Sequence, residues 1–360
     1  MHETSDSATA TPSNSTSPTW ATSKTSDRTI RTRLTRTVPA ARWNSLCARS
    51  AGATPFHQYE CLQVLADRSD ATVHPFVGYQ DDHPVGLFPI FERSRGPVTT
   101  LFSPVPDHKI PYLGPVLLDR SGGPRAAHER RRRSFLGASL SCLGDRFAPS
   151  YVNVRTAPRF DDPRQFAWRG FEVVPRHSYV VDLTPEPDVL LDSFSSDARR
   201  NVRDPPDNVE VRESGHDAID RIIEQVIARH EQQNETYLVT PAYVRDLYDA
   251  LPEGVLRPYE IRLDGSFAGG LITLESGDTI YRWQGGVKPD ADVPVNDLLD
   301  WHVMRAARDR GRETYDLVGA NNRRIADYKA KFAPELVTFY SMEASTRPMA
   351  LVSRLYKRVR

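Results

Sequence analysis

The residues best suited to chemistry lie close together near the C-terminus, between Asp278 and Met342. Asp316 sits on a short strand-like run that Gly319 ends, and Tyr328 and Lys329 follow on a short basic segment with helical character. A carboxylate, a phenol and an ammonium group can each exchange a proton with a substrate.

The elements around these residues alternate between strand and helix. One predicted strand covers Thr279 to Gln284 and is ended by Gly285-Gly286, and a second covers Glu313 to Val318. Apolar residues between Val295 and Ala307 repeat at helical spacing and predict a helix between the two strands. Strand ends offer unpaired backbone groups, and a helix start offers free N–H donors with a partial positive charge, so the unit suits a ligand.

Other catalytic and binding motifs are missing from the sequence. His230-Glu231 lacks the HExxH spacing of a zinc protease, and neither a Walker loop nor a GxSxG elbow occurs. The three cysteines, Cys47, Cys61 and Cys142, form no CxxC pair and are predicted to be buried, so we expect no metal site. Lys plus Arg and Asp plus Glu both number 47, without the basic excess of a general nucleic-acid binder, which disfavours tRNA as a partner.

Length and composition predict two domains behind a disordered tail. Residues 1–29 are rich in Ser and Thr, with almost no large apolar side chains, and are expected to be disordered. We expect an N-terminal domain at 30–170, a C-terminal domain with the ligand site at 171–345 and a basic helix at 346–360. No apolar run approaches the roughly 20 residues of a membrane span. The tail also lacks the apolar core of a signal peptide, so the expected location is the cytoplasm.

The chain contains one unit twice. His74 to Glu92 aligns without gaps on Arg257 to Glu275, at a constant offset of 183 (258 − 75 = 183). In both copies a polar turn joins two apolar strands, as in a hairpin. Thr54-Pro55 and Thr240-Pro241 lie upstream, and each predicts a helix start with Thr as N-cap and Pro at the first position. Duplication explains this shared order better than chance similarity does.

The region between the two copies is predicted from local signals. A strand at Val98 to Pro104, a helix from about Pro124 to Arg146 and a strand at Tyr151 to Thr156 complete the first half. The second half is expected to open with a strand at Tyr179 to Leu183. One helix then runs from about Pro187 to Arg203, where Asp204-Pro205 must end it.

The motifs of the final third carry a family resemblance. YRWQGG at 281–286 is followed by NDLLDW at 296–301, YDLVGAN at 315–321 and YKAKFAPELVTFY at 328–340. In order and spacing they resemble the C-terminal half of the Fem-type (FemAB-like) acyltransferases, a branch of the GNAT superfamily, and especially members common in haloarchaea. The resemblance implies an α/β protein with mixed sheets, built from two tandem GNAT-like domains.

The resemblance also implies where substrates bind. In a GNAT fold two neighbouring parallel strands splay apart and admit the thioester arm of an acyl donor. The matching positions assign donor binding to Tyr281, Trp283, Gln284, Gly285, Gly286 and Asn296. Acceptor binding falls to Tyr112 in a proline-rich loop, to Arg199 and Arg200 in a basic helix, and to Asn321. The structural alternatives are that the loop is a rigid connector and that the asparagine caps a turn.

Three residues are implied to be catalytic, and each has a structural alternative. Asp316 would position or deprotonate the acceptor amine, or it faces solvent or caps a helix. Tyr328 would act as a general acid, or it packs in the core. Lys329 would neutralise a phosphate or carboxylate, or it pairs with Asp316 or Glu335.

The donor stays open between two classes. The glycines of Gln284-Gly285-Gly286 do not match the spacing of the GNAT donor-binding signature, and Asp290 and Asp292 place negative charge where a pyrophosphate would lie. Acyl-CoA as a co-substrate is therefore retained beside aminoacyl-tRNA, the donor of peptidoglycan-bridge members. The sequence predicts an N-acyltransferase acting on an amine of a small molecule or glycan precursor. A non-catalytic binding module of the same fold, recognising a glycan precursor or a partner protein, is the alternative.

Overall fold

The computed structural model describes residues 32–118, 124–287 and 293–350. The expected disordered tail at 1–29, Asp290 and Asp292 lie outside these ranges. Of the expected basic helix at 346–360, residues 347–350 are described and helical, and the rest lies outside. Within the described ranges no helix has the length and hydropathy needed to cross a bilayer.

Both halves of the chain contain strands and helices. The first half contains β1 (Arg33–Thr35), α1 (Ala40–Cys47), α2 (Tyr59–Arg68), β2 (Thr72–Gln80), β3 (His83–Arg95), β4 (Val98–Ser103), β5 (Val116–Leu117), α3 (Arg125–Phe147), β6 (Tyr151–Arg155) and α4 (Arg164–Ala167). The second half contains β7 (Glu172–Asp182), α5 (Pro187–Ser193), α6 (Ser196–Arg203), β8 (Val209–Glu213), α7 (His216–Gln232), α8 (Pro241–Ala250), β9 (Leu256–Leu263), β10 (Ser266–Ser276), β11 (Thr279–Val287), α9 (Val295–Asp309), β12 (Thr314–Asp316), α10 (Arg323–Ala330) and β13 (Glu335–Ser345).

The strands form a mixed sheet that runs through both halves. Its order is β1-β2-β3-β4-β6-β13-β7-β12-β11-β10-β9-β8, and β5 pairs with β3 outside this path. The last strand, β13, lies between β6 of the first half and β7 of the second, so Met342 faces Val154 on one side and Val173 on the other. The α/β class with mixed strand directions is thus as the sequence predicted.

Helices cover both faces of the sheet. On one face, α1 and α2 of the first half pack with α7 and α8 of the second around a shared apolar cluster that includes Trp43, Leu62 and Ile222. On the other face, α3 covers the first half and α9 covers the second. Adjacent residues Phe76 and Val77 belong to clusters on opposite faces, as the alternation of side chains along a strand requires.

The predicted repeat extends to the register of the two hairpins. Pro75 pairs with Pro89 in the first hairpin, and Pro258 pairs with Ile272 in the second. Each hairpin also skips one residue of its second strand, Val85 in one and Ala268 in the other. Both bulges obey the sequence offset, because 268 − 85 = 183. Bulges are positioned features of a fold, so their coincidence strengthens the case for duplication.

The two predicted helix starts differ. The Thr240 side chain caps α8 by accepting a hydrogen bond from the Tyr243 backbone N–H at 3.2 Å, as predicted. Pro55 instead opens a 3-10 turn, Pro55–His57, and α2 begins only at Tyr59. The buried His57 ring holds this turn, since its Nδ1 accepts from the Thr54 N–H at 3.0 Å.

The helix predicted from Pro187 to Arg203 is two helices. Phe194 adopts an extended conformation between α5 and α6, and Ser195 caps α6. The break lets the Phe194 ring insert between Trp301 and Phe332, with edge contacts at 5.6 and 5.3 Å between ring centroids. Burial of an aromatic ring outweighs the continuity of one short helix.

Gly285-Gly286 does not end β11, which continues to Val287. A Cβ on Gly285 would lie 2.9 Å from the Gly270 carbonyl oxygen, and one on Gly286 would lie 3.2 Å from the Val226 side chain. The two glycines therefore allow β10 and α7 to approach β11 closely.

Gly285→Ala should lower the free energy of unfolding by about 1–3 kcal/mol, because the added methyl group meets backbone that cannot rotate away. Urea denaturation measures this change. Gly52→Ala is the matched control, since its Cβ would meet nothing closer than 3.7 Å. Equal midpoints for both variants would contradict the close-packing role of Gly285.

Candidate active site

The site forms where two parallel strands separate. β11 and β12 pair only from Thr279 and Thr314 to Tyr281 and Asp316. Beyond that point β11 continues along β10, whereas β12 ends. The second strand, predicted to extend to Val318, thus stops at Asp316. The predicted divergence of these two strands is present in the structure.

A strained turn carries the chain away from β11. Val318 has φ +54° and Gly319 has φ +86°. The left-handed region suits glycine but disfavours a β-branched residue such as valine. The turn is held by the Asp316 carboxylate, which accepts a hydrogen bond from the Val318 N–H at 2.7 Å. Such backbone strain persists only where surrounding contacts fix it, and it concentrates at functional sites.

A bulge in β11 redirects the opposite edge of the gap. Ile272 pairs with Gln284 and Thr273 with Arg282, so Trp283 is an extra residue without a partner on β10. Its indole N–H donates to the Lys109 carbonyl at 2.9 Å. Trp283 therefore ties the proline-rich loop of the first half to the second half.

The corresponding gap in the first half is closed by its own chain. β4 and β6 are parallel and pair up to Ser103 and Val154. The loop after β4 then returns, and Leu113 bridges to Thr156 while its N–H donates to the Arg155 carbonyl at 3.0 Å. The gap between β11 and β12 opens into the cavity described below.

A cavity of about 920 Å³ lies at the open gap. Its wall combines residues 109–112 of the first half with 282–286 of β11, 318–322 of the turn after β12, and parts of α7 and α10. This volume falls in the range of small-molecule sites, and the walls from two structural units are typical of such sites.

Asp316 lies behind the cavity wall, with 1% of its surface exposed. One carboxylate oxygen accepts hydrogen bonds from the Ser178 hydroxyl at 2.6 Å, from the Val318 N–H at 2.7 Å and from the Tyr112 hydroxyl at 3.3 Å. Burial raises the pKa of Asp316 in spite of these bonds and of the nearby Lys329 charge. Asp316 is neither solvent-facing nor a helix cap. Its contact with the cavity is indirect, through Tyr112 and Val318, which line the wall.

Lys329 lies in the cavity wall with 5% of its surface exposed. Its Nζ donates to the carbonyl oxygens of Val318 and Gly319, both at 2.8 Å. Burial, and secondly the Arg282 charge, lower the pKa of Lys329 to about 7. Among the described residues no carboxylate lies within ion-pair distance of Lys329, so the pairings expected with Asp316 or Glu335 do not form.

Tyr328 also lines the cavity, but its hydroxyl is engaged elsewhere. It donates to Asp300 at 2.9 Å and to Asp297 at 3.2 Å. Asp300 also accepts from the Arg282 guanidinium at 2.8 Å. Burial and the Asp300 charge raise the pKa of Tyr328. The ring packs edge-on against Phe332, which agrees with the packing alternative for this residue.

All of the proposed donor residues except Tyr281 line the cavity. Gln284 accepts a hydrogen bond from the Tyr237 hydroxyl through Oε1, while its buried Nε2 has no partner among the described residues. Asn296 lines the cavity at the start of α9. Tyr281 is buried in a small cluster with Tyr112 and Phe339. Trp283, Gly285 and Gly286 line the cavity in addition to their packing roles.

The proposed acceptor residues divide into two groups. Tyr112 lies in the wall, and Asn321 lines the cavity while its amide exchanges two hydrogen bonds with the His177 backbone. Arg199 and Arg200 on α6 are not part of the wall. They bond instead to the Asp192 carbonyl and to the Asp197 carboxylate.

Sequence reasoning missed a set of arginines in the cavity wall. The wall contains four arginines that form no ion pair within 4 Å with any described acidic residue: Arg155, Arg176, Arg229 and Arg324. In the described part of the wall the acidic side chain is that of Glu235, which is bonded to His230. The excess positive charge suits an anionic ligand. No local motif marks these arginines, because strand register and helix packing bring them together.

Burial of Cys47 and Cys61 agrees with the sequence prediction, whereas Cys142 is less buried than predicted. Cys47 and Cys61 are buried and Cys142 is partly buried, all as free thiols. No group of three or more His, Cys, Asp or Glu side chains in the described part of the chain could hold a metal ion.

Comparisons with known proteins support the fold. An acetyltransferase (GNAT) domain model matches residues 193–330. The solved structure of FemX has 12% sequence identity and a TM-score of 0.67, covering 86% of this chain and 96% of FemX. L-PGS from Bacillus licheniformis has 11% identity and a TM-score of 0.50, covering 89% and 96%. A conserved protein of unknown function from Bacteroides thetaiotaomicron VPI-5482 has 10% identity and a TM-score of 0.51, covering 86% and 98%.

No curated protein matches the sequence. At these low identities the structural similarity establishes the fold, and none of these three relatives points to a haloarchaeal origin.

The lowered pKa of Lys329 makes stability depend on pH. Between about 7 and the ordinary value of 10.5 the unfolded chain holds a proton that folded Lys329 has lost. This contribution to the free energy of unfolding therefore rises with pH across that window, by at most about 1.4 kcal/mol per pH unit, and is lost as pH falls through it.

Comparing wild type with Lys329→Met in urea at pH 7, 8 and 9 should show wild type gaining stability relative to the variant. Heteronuclear NMR of the lysine side chains should give one midpoint near pH 7 that the variant lacks. A constant difference in stability, with all midpoints near 10.5, would contradict the lowered pKa.

Proposed function

We infer that this chain, a protein of the Fem-type GNAT fold with two tandem GNAT-like units, transfers an acyl or aminoacyl group to an amine. The observation that carries the proposal is the open gap between β11 and β12, which leads into a cationic cavity beside Lys329. A gap of this kind exposes backbone groups to an acyl donor, and the lysine can exchange a proton near neutral pH.

The residues present fit an anionic donor. Arg229 and Arg324 have no described acidic partner, and the buried Nε2 of Gln284 is a donor without an acceptor. These groups would hold the donor, with Asn296 at the start of α9. A bound acyl-CoA or aminoacyl-tRNA would supply the activated carbonyl carbon. Both donors carry phosphates. The arginines therefore support an anionic donor but do not distinguish acyl-CoA from aminoacyl-tRNA.

Lys329 is the best placed group to accept the proton. An amine is protonated near neutral pH and must lose a proton before its nitrogen can attack a carbonyl carbon. A neutral lysine has two N–H bonds and one lone pair. The carbonyl oxygens of Val318 and Gly319 accept both N–H bonds, which leaves the lone pair for the acceptor. As the new C–N bond forms and the bond to the leaving group breaks, the proton held by Lys329 can pass to the leaving sulfur or oxygen, and the second proton that the amine nitrogen must lose goes to solvent.

Asp316 is a positioning residue in this proposal. It does not line the cavity, but it holds the Val318 N–H and the Tyr112 hydroxyl. The first contact maintains the turn whose carbonyls orient Lys329. The second fixes Tyr112 in the wall where the acceptor would lie.

Lys329→Met should lower kcat/KM by about 100-fold or more, as expected when a proton-transfer group is removed. For wild type the rate should rise as pH passes through about 7, and this limb should disappear in the variant. Thiol release from acyl-CoA and deacylation of charged tRNA, each with a panel of amines, measure the activity. Lys331→Met is the matched control, since Lys331 pairs with Asp297 and does not line the cavity. Failure of every donor and acceptor combination would count against acyl transfer.

The positions of Asp316 and Tyr328 favour a second candidate, a binding module of the same fold that recognises a glycan precursor or partner protein. Asp316 is sealed from the cavity, and the Tyr328 hydroxyl is engaged by two carboxylates. Substituting Asp316, Tyr328 and Lys329 separates the candidates. Biological function that survives all three substitutions would support binding without catalysis.

A further inference from the structure

We propose that Arg155 and Arg176 form a binding site for an acidic group, a carboxylate or a phosphate, on the acceptor. Assignment of this site to the acceptor rests on the function proposed above. The arginine site itself is inferred from the residues that line the cavity wall. The acceptor class that follows is an amine that also carries a negative charge.

Strand register places the two arginines on one face of the sheet, on either side of β13. Arg155 of β6 faces Ser341 of β13, and Arg176 of β7 faces Phe339 of β13. Residues two apart on a strand point to the same face, and residues paired across neighbouring strands share that face. Both guanidinium groups therefore project from the same side of the sheet, and all four residues line the cavity.

This pair of cations has no counter-ion in the described part of the chain. No carboxylate lies within 4 Å of either, and the described hydrogen bond of Arg155 runs to the Ile110 carbonyl at 3.3 Å. Burial and the charge of Arg176 lower the pKa of Arg155. Two like charges in a partly enclosed wall destabilise each other, and an anion between them removes that cost. A guanidinium group can bind two oxygens of a carboxylate or of a phosphate through paired hydrogen bonds.

The position of the pair assigns it to the acceptor. The electrostatic neighbours of Arg155 are Arg176 and Tyr112, and Tyr112 bonds to Asp316. The other arginines without described partners form a second group, because Arg229 has Arg324 and Arg282 as its neighbours. That second group belongs with α7 and α10, where the donor is proposed to lie. One acidic group on the acceptor would thus bind apart from the donor phosphates.

Matched amines that differ only in an acidic group test the proposal. Lysine and cadaverine differ by a carboxylate, and glucosamine 6-phosphate and glucosamine differ by a phosphate. Calorimetry on the full chain should show at least one acidic compound binding about tenfold or more tightly than its neutral partner. The two pairs distinguish a carboxylate from a phosphate as the preferred group.

Arg176→Gln should remove this preference, with a loss of roughly ten- to hundredfold in affinity for the acidic compound. Arg176 is exposed, so this variant is expected to fold. Arg200→Gln is the matched control, an arginine outside the cavity, and should keep the preference. Equal affinity for acidic and neutral partners, no binding of either acidic compound at millimolar concentration, or an unchanged preference in Arg176→Gln would each overturn the proposal.

Turnover measured with the same four amines separates this proposal from the proposed function. Turnover without a preference for the amines that carry an acidic group would reject the binding site for that group, but not acyl transfer. If the acidic compounds bind more tightly but no donor supports turnover, acyl transfer would be rejected and the proposed binding site for an acidic group would be retained.

Discussion

The turn that follows β12 is the constraint on which the site depends. Val318 adopts a backbone conformation that a β-branched residue disfavours, and two buried polar side chains hold it there. Asp316 binds the N–H of Val318, and Lys329 binds the carbonyl oxygens of Val318 and Gly319. The contacts that open the gap are therefore the contacts that orient the lysine. Its burial, needed to reach those carbonyls, also destabilises its charge, so the geometry and the proton affinity of Lys329 have one origin.

The two halves resemble each other in their hairpins but differ at the gap between their parallel strands. Both hairpins keep the same register and the same bulge position, but the gap beside β4 is closed by the returning loop at Leu113. The residues just before that closure, Lys109 to Tyr112, line the cavity of the other half. The first half thus contributes a wall to the cleft of the second. Trp283 secures this arrangement through its bond to the Lys109 carbonyl.

Local signals predicted most of the elements, whereas contacts between distant residues decided the site. Spacing predicted α9, and the cap at Thr240 predicted α8. The break at Phe194 was missed because it depends on the pocket formed by Trp301 and Phe332. The glycines of β11 were interpreted as a strand end, because their close neighbours at Gly270 and Val226 are invisible in a linear pattern.

The proposed catalytic residues were placed near the gap by resemblance, but their partners were not. Tyr112 and Asp316 are 204 positions apart, and no sequence pattern links them. Arg155 and Arg176 line the same face of the sheet only because β13 lies between β6 and β7. Arg199 and Arg200, which match a family motif, lie outside the cavity. A sequence motif shows only local similarity, whereas the charges that line a cavity depend on the order of the strands in the whole sheet.

The central place of β13 in the sheet has a consequence for biosynthesis. A nascent chain that ends before Glu335 already contains both hairpins and every helix from α1 to α10, yet β6 and β7 still lack the neighbour that joins them. Phe339 and Ser341 line the cavity and are synthesised after all the other described residues of its wall. The cavity wall is therefore incomplete until β13 has been synthesised.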